Sequence, residues 1–402
     1  MTKVRTDKDL IEKFLTRGAT EVFPSKEELR KKLLSGERLR VYQGFDPTGP
    51  YLHVGHAMGI RALRILQELG HDVIFLVGDY TAKVGDPDKD TGRTILSDEQ
   101  IQKNMQGWKE QAAQLIDFDG ENPVTFRRNF EWLSKLNLAD LIKLMSHATV
   151  QQMIERDLFQ KRLQKKNPIQ LQEFIYPLMQ GFDSVAMEVD MEIGGTDQIF
   201  NMLMGRDLVK EYLGKEKFVR ANEMMEAPDA LTMSKTKGNG INLSDTPENM
   251  YGKAMSYPDE LILKAMRLLT DIPTEEIWDI QKKIESGENP MKYKKIMAFE
   301  VVKIIKGKAD AEKAEKHFED TVQNKKIDED SAIKIELKGT LPVLEFIKTA
   351  IGDKQSLSQI RRVVEQGGVE VNGKKIIEPN VQLEFKSGDI VKFGKRTVFK
   401  VS

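Results

Sequence analysis

The sequence contains no cysteine. That excludes disulfides and thiolate metal sites, and it fits a reducing compartment. No run of eighteen apolar residues occurs, so no membrane-spanning helix is expected. The opening MTKVRTDKDLIEKFL alternates charge with apolar residues and lacks a signal-peptide core, which makes the cytoplasm the expected location. A large excess of one charge is missing too: the net charge is −1, which argues against a generally basic nucleic-acid binder. The charge is unevenly spread, however. Residues 339–402 carry eleven Lys and Arg against seven Asp and Glu, and the other 338 residues carry 51 against 56. A basic end on an acidic body suggests either local contact with a polyanion or a solvated basic surface.

The rest of the composition is that of an ordinary globular chain, and 402 residues exceed what one core usually serves, so two or three domains are expected. Arg38–Gln43 reads as a strand. After a Gly- and Pro-rich turn, AMGIRALRILQELG places Ile60, Leu63, Leu66 and Leu69 at helical spacing and stops at Gly70. VIFLV (73–77) is an unbroken apolar run, as in a strand covered on both faces. Strand, helix and buried strand make a βαβ unit and so a parallel sheet. From Asp245 the pattern becomes helix after helix, with Thr246-Pro247 as a cap, Pro258, Pro273 and Pro290 opening later segments, and Gly307 closing one. The stretch 323–339 is polar and reads as a linker. The last block holds a short helix (SLSQIRRVVEQGG), a hairpin with an Asn372-Gly373 turn, and a second hairpin in VKFGKRTVFKV, together a small α+β module.

Two of the five histidines, His53 and His56, sit three apart in GFDPTGPYLHVGH, at the carboxyl end of the first strand of the βαβ unit. Ligands of open parallel sheets bind there. A helix starting near His56 turns free N–H groups and its positive dipole end to the site. Gly44, Gly49 and Gly55 let a phosphate or an adenine approach the backbone. Two imidazoles then donate to phosphate oxygens as charge shifts. No third ligand stands at a suitable spacing, so no protein-held metal is expected. About 180 residues later LTMSKTKGN offers Lys235 and Lys237 on a polar loop. Farther in, FIYPLMQGFDSVAME places Tyr176, Gln180 and Asp183 at i, i+4 and i+7, on one helix face.

HVGH with MSKT resembles the HIGH and KMSKS signatures of class I aminoacyl-tRNA synthetases. VYQGFDPTGPYLHVGH, GDYTAKVGDP, YPLMQGFD and IGGTDQIFN, in that order, resemble the bacterial-type tyrosyl-tRNA synthetases, and SLSQIRRVVEQGGVEVNGKKI resembles the S4 RNA-binding module that ends many of them. The resemblance covers nearly the whole chain. It implies an α/β fold: a Rossmann-like parallel sheet in a catalytic domain over 1–222, the MSKT loop and an α-helical anticodon-side domain over 223–322, a linker over 323–338, and an S4-like α+β domain over 339–402. The implied reaction is activation of L-tyrosine by ATP, followed by transfer to the 3′ end of tRNA(Tyr), with magnesium accompanying ATP and no tightly held protein metal.

The resemblance also implies roles. Tyr42 and Asp183 would bind the substrate's phenol hydroxyl. Tyr176, Gln180 and Asp86 would hold its ammonium group, and Gln198 would sit near its carboxylate. A buried carboxylate and phenol left unpaired by phenylalanine would penalise the wrong substrate. Asp46, Gly55, Gly195 and Asp197 would line the ATP side. His53, His56, Thr48, Lys235 and Thr236 would stabilise charge on the departing pyrophosphate. Lys89 and Arg93 are further pyrophosphate candidates, one residue closer to Asp86 than the family's usual spacing. Thr232 stands where the family has its first signature lysine, so Lys235 or Lys237 would carry that load. For RNA, Lys161, Arg162, Lys165 and Lys166 of KRLQKK either reach the acceptor arm or form an exposed basic helix end. Arg361, Arg362, Lys374 and Lys375 are candidate phosphate contacts. Family members are typically homodimers. Three rivals stay open: a tryptophan-specific relative, opposed by GFDPT, the Tyr42/Asp183 pair and the S4-like tail; an RNA-binding paralogue without catalysis, favoured by Thr232; and another nucleotide-binding α/β enzyme without RNA, opposed by the basic C-terminal module.

Overall fold

In the computed structural model, which describes residues 3–86, 96–231, 233, 239–323, 332–337, 339–352, 355–394 and 397–402, the chain divides into two compact units, Met1–Glu315 and Lys316–Ser402. The first is built on six strands: β1 (Ala19–Phe23), β2 (Arg40–Phe45), β3 (Asp72–Val77), β4 (Thr125–Arg128), β5 (Met191–Gly195) and β6 (Phe218–Asn222). Their order is β1-β6-β5-β2-β3-β4, and every neighbouring pair is parallel except β1 with β6. Burial on both faces explains the apolar run in β3, where all of Val73–Val77 are buried. The chain runs outward one way from β2 through β3 to β4, then returns to β5 on the other side of β2. The carboxyl ends of β2 and β5 therefore flank the topological switch point, where an open sheet leaves a crevice for a ligand.

Helices cover the sheet. Val54–Glu68 follows β2 and buries Ile60, Leu63 and Leu66, the stripe expected from the sequence. Tyr176–Ala186 and Ile199–Leu213 flank β5, and a Cβ on Gly181 would lie 3.2 Å from the Cα of Gly205. Only glycine at both points lets these helices approach so closely.

The helical region begins at Pro247–Met255, capped by Thr246, and continues through Ile262–Leu269, Thr274–Glu285 and Pro290–Lys306, which Gly307 ends. It belongs to the same compact unit as the sheet, although the sequence suggested a separate domain from 223. Partly buried cations join the two. Arg17 donates to the carbonyls of Met266, Thr270 and Ile272 at 3.1, 2.6 and 2.7 Å, and Arg61 donates to Thr270 O at 3.0 Å and to Asp271 at 2.7 Å. Those carbonyls end the Ile262–Leu269 helix, where positive charge is favoured.

The second unit has a five-stranded sheet ordered β10-β9-β12-β13-β7, from β7 (Ile333–Ile335), β9 (Val369–Val371), β10 (Lys374–Ile376), β12 (Ile390–Phe393) and β13 (Thr397–Val401), beside a pair of β8 (Gly339–Pro342) with β11 (Gln382–Phe385). Both expected hairpins form, the first with Asn372 and Gly373 at φ 50° and 78°, the left-handed pair such a turn requires. Helix Leu357–Glu365 forms as read, and a second, Val343–Ile351, packs Phe346 on Phe385 with ring centroids 4.1 Å apart. One stretch differs from the sequence reading. Ile333–Ile335, placed in a linker because its surroundings are polar, pairs in parallel with β13 as an edge strand.

Candidate active site

A cavity of about 320 Å³ opens at the switch point. The described residues that the resemblance assigns to tyrosine or ATP line it: Tyr42, Asp46, Thr48, His53, Gly55, His56 and Asp86 from the first half, then Tyr176, Gln180, Asp183, Gly195, Asp197 and Gln198, whereas Gly49 does not. Lys89, Arg93, Lys235 and Thr236 lie outside the described residues.

The two histidines stand at the mouth of the Val54–Glu68 helix. His53 is its N-cap, and the His53 backbone N–H donates to His56 Nδ1 at 3.0 Å. That bond makes Nδ1 of His56 an acceptor, so its neutral ring carries the proton on Nε2. The imidazoles lie 3.8 Å apart between centroids, and His56 also meets the edge of Phe45. The segment leading out of the MSKT loop is tied to this corner. Val54 N donates to Ile241 O at 2.9 Å, Leu243 N to Leu52 O at 2.8 Å, and Met233 lines the cavity. The sequence separates these motifs by about 180 residues; a short antiparallel bridge between His53 and Asn242 brings their flanks together.

The deeper part of the cavity is organised by partners that the sequence reading did not single out. The Asp183 carboxylate accepts from Trp132 Nε1 at 2.7 Å and from Asn129 Nδ2 at 3.2 Å. Burial holds its carboxyl well above the usual range, and those two donors oppose the shift. Tyr42 is fully buried on the neighbouring strand, with its hydroxyl 2.9 Å from Ser184 Oγ. Burial, with the charges of Glu192 and Asp183, raises the Tyr42 phenol well above its ordinary value, so it remains protonated. A phenol and a carboxylate side by side suit a ligand hydroxyl that both donates and accepts.

The three residues expected at the ammonium group each present an acceptor. Tyr176 donates its O–H to Asp46 Oδ2 at 2.9 Å, so toward a ligand its phenol oxygen acts as an acceptor. Gln180 donates its amide N–H to Glu192 Oε1 at 3.0 Å, which leaves its carbonyl oxygen to accept from Asn201 Nδ2 at 3.0 Å and from a ligand. Asp86 accepts from Gln198 Nε2 at 2.6 Å and from Arg156 at 3.3 Å. A phenol oxygen, an amide oxygen and a carboxylate lining one cavity are the donor-poor environment that an ammonium group needs.

Two glycines hold the floor open. A Cβ at Gly78 would come within 2.0 Å of Asp46 Oδ1, and one at Gly195 within 2.3 Å of Asp197 Oδ1. Among the described residues no group of three or more His, Cys, Asp or Glu could hold a metal ion.

The RNA-side candidates divide. Lys161, Lys165 and Lys166 are exposed, as are Arg361, Arg362, Lys374 and Lys375. Arg162 is not. It is fully buried and forms a two-pronged pair with Glu173, one contact at 2.9 Å, and also donates to Pro168 O. Its place on the Asp157–Gln164 helix points inward with Phe159, so it is a structural cation and not an RNA contact. Glu192 had one sequence signal, a carboxylate inside the apolar strand MEIGG. Asn129 and Trp132 had only an i, i+3 spacing.

The model of the family described as tRNA synthetases class I (W and Y) matches residues 34–323. A tyrosine–tRNA ligase of Thermotoga maritima is 40% identical over 393 residues, covering 97% of this chain and 96% of its own length. One from Dehalococcoides mccartyi is 42% identical over 395 residues, covering 97% and 98%. Among solved structures, a C-terminally truncated mitochondrial tyrosyl-tRNA synthetase of Aspergillus nidulans superposes with a TM-score of 0.64 at 22% identity, covering 77% of this chain and 93% of its own. A tyrosyl-tRNA synthetase of Archaeoglobus fulgidus complexed with L-tyrosine gives 0.60 at 24% identity, covering 77% and 100%. At those identities the structures show a shared fold.

Proposed function

The chain belongs to the class I tRNA synthetases of the tryptophan and tyrosine group, and we infer that its reaction is the ligation of tyrosine to tRNA(Tyr). The tyrosine carboxylate attacks the α-phosphate of ATP, giving tyrosyl-adenylate and pyrophosphate. The ribose at the 3′ end of the tRNA then displaces AMP. Rate comes from holding the reactants in line and from stabilising charge on the leaving group.

The observation that carries this reading is the pairing of two chemistries in one cavity. Asp183 and Tyr42 are buried together at one part of it, suited to a phenol hydroxyl. Tyr176, Gln180 and Asp86 present the acceptors for an ammonium. Gln198, beside Asp86 and Asp197, faces the carboxylate and the α-phosphate. Asp46, Gly55, Gly195 and Asp197 take the nucleotide. His53, His56 and Thr48 act on the phosphates, with Lys235 and Thr236 of the signature loop and Lys89 and Arg93. Magnesium enters with ATP, held through its phosphates.

The tRNA reading rests on exposed lysines 161, 165 and 166 in the first unit and on Arg361, Arg362, Lys374 and Lys375 in the second. A homodimer is supported by Leu138, Ile142 and Met145, exposed at i, i+4 and i+7 on helix Leu138–Met145. No helix among the described residues is long and apolar enough to cross a membrane, and we place the protein in the cytoplasm.

The experiment is amino-acid-dependent ATP–pyrophosphate exchange with tyrosine, phenylalanine and tryptophan, followed by charging of tRNA(Tyr). Exchange with tyrosine alone is expected. Exchange with tryptophan instead, or none from folded protein that still binds tRNA, would overturn the reading.

A further inference from the structure

Beneath the tyrosine-side wall lies a buried cation that none of the roles above uses. Lys217 precedes β6 and its side chain is fully buried. Its ammonium contacts Glu192 Oε2, Ser184 Oγ at 2.8 Å and Met202 O at 3.2 Å. Three acceptors match the three N–H bonds of an ammonium, so each proton is committed. The space is kept for it: a Cβ on Gly205 would lie 2.5 Å from Lys217 Nζ and 3.0 Å from Ser184 Oγ.

These commitments propagate to the cavity. Ser184 Oγ accepts from Lys217, so its single proton must go elsewhere. The choices are Tyr42 Oη at 2.9 Å and Glu192 Oε2 at 3.4 Å. The Tyr42 contact takes it, because 2.9 Å is within ordinary O–H···O reach and 3.4 Å is not. Tyr42 then accepts from Ser184, and its own O–H is left to turn into the cavity it lines. Glu192 is a neighbour of Tyr42 across β2 and β5, and without Lys217 it would compete for that phenol proton. On its other oxygen, Glu192 accepts from the Gln180 amide, which turns that amide with N–H toward Glu192 and oxygen toward Asn201 and the ligand.

We propose that Lys217 is a positioning residue for amino-acid selection, making Tyr42 a donor to the substrate's phenol oxygen through Ser184 and orienting the Gln180 amide through Glu192. This rests on the reading of the cavity as a tyrosine site. Asp183 accepts a hydrogen bond from the substrate's phenol and Tyr42 donates one to it, so a substrate without the hydroxyl leaves both of these bonds unmade.

The test uses two variants of the full chain, Ser184→Ala and the double variant Lys217→Met with Glu192→Gln, which removes both buried charges together. Circular dichroism verifies folding, and exchange kinetics are measured for tyrosine, phenylalanine and ATP. In both variants the preference for tyrosine over phenylalanine in kcat/KM falls roughly five- to tenfold, the worth of one hydrogen bond. The KM for ATP stays unchanged; Ser184→Ala uses phenylalanine no worse, whereas the double variant, which also releases the Gln180 amide, weakens both amino acids and tyrosine the more. Should the double variant fail to fold, Ser184→Ala, which strands no buried charge, decides. Folded variants that keep the parental preference, or lose tyrosine and phenylalanine equally, overturn the proposal. Absence of tyrosine-dependent exchange in the parent protein would overturn the substrate reading itself, and is seen before any variant is made.

Discussion

Arg162→Ala removes a side chain that the sequence places in a basic surface cluster and the structure places in the interior. The guanidinium meets both oxygens of Glu173, and the pair is 0% and 5% exposed. Deleting the cation leaves a buried carboxylate that still accepts from the Gln170 backbone N–H at 2.9 Å but has lost its countercharge. Breaking a buried pair in this way costs about 3–5 kcal/mol. Glu173 lies in the Leu171–Phe174 turn that leads directly into the Tyr176–Ala186 helix, so the loss also loosens the start of the helix carrying Tyr176, Gln180 and Asp183. The expected variant is less stable by that amount, with a raised KM for tyrosine and an unchanged KM for tRNA. Urea unfolding followed by tryptophan fluorescence reports the right unit, because Trp108, Trp132 and Trp278 all lie in Met1–Glu315. Replacing both partners, as Arg162→Met with Glu173→Met, strands no charge and should recover most of the loss. A phosphate contact behaves otherwise: stability within about 0.5 kcal/mol of the parent, weaker tRNA binding and a salt slope reduced by about one. That result for Arg162→Ala would refute the burial argument.

Two further outcomes follow from other buried groups. His71 is fully buried, its Nδ1 accepts from Leu39 N at 3.2 Å, and burial lowers its pKa from 6.5 to about 4. The unfolded chain therefore takes up the proton first as pH falls, so this stability is intact above pH 6.5 and lost down to about pH 4, some 3 kcal/mol in all. His71→Gln keeps an acceptor for Leu39 without a titrating group, and its stability should fall by about 3 kcal/mol less than the parent's between pH 7 and pH 4; equal losses by urea unfolding would refute a neutral buried imidazole. Trp132→Phe deletes the shorter of the two N–H donors to Asp183, whose carboxyl is then pushed still higher. The KM for tyrosine should rise roughly tenfold while that for ATP holds, and an equal effect on phenylalanine would show that Trp132 acts only through packing.

How much of this was legible in the sequence depends on where each residue's partner lies. The Val54–Glu68 helix, the buried β3 run, and the common face of Tyr176, Gln180 and Asp183 are local periodicities, and each formed as read. The Asn372-Gly373 turn is local too. What failed was the identity of charges whose partners arrive from elsewhere. In KRLQKK four cations look alike, and only helix phase, which puts Arg162 on the Phe159 side, hints that one of them faces inward; Glu173, eleven residues on, supplies the reason. Lys217 is a harder case. It shares strand parity with Val219 and Ala221, both fully buried, but Lys215 shares that parity as well and is only half-buried, paired with Asp190 at 2.8 Å. What separates the two lysines is where β6 begins and that Glu192 lies on the strand beside it, as its register partner to Val219. Parity narrows the choice of inward charges, but strand order decides among them, and strand order is a property of the whole sheet. The buried wiring behind a site is thus the last part of it that a single sequence discloses, even when the residues facing the ligand are plain.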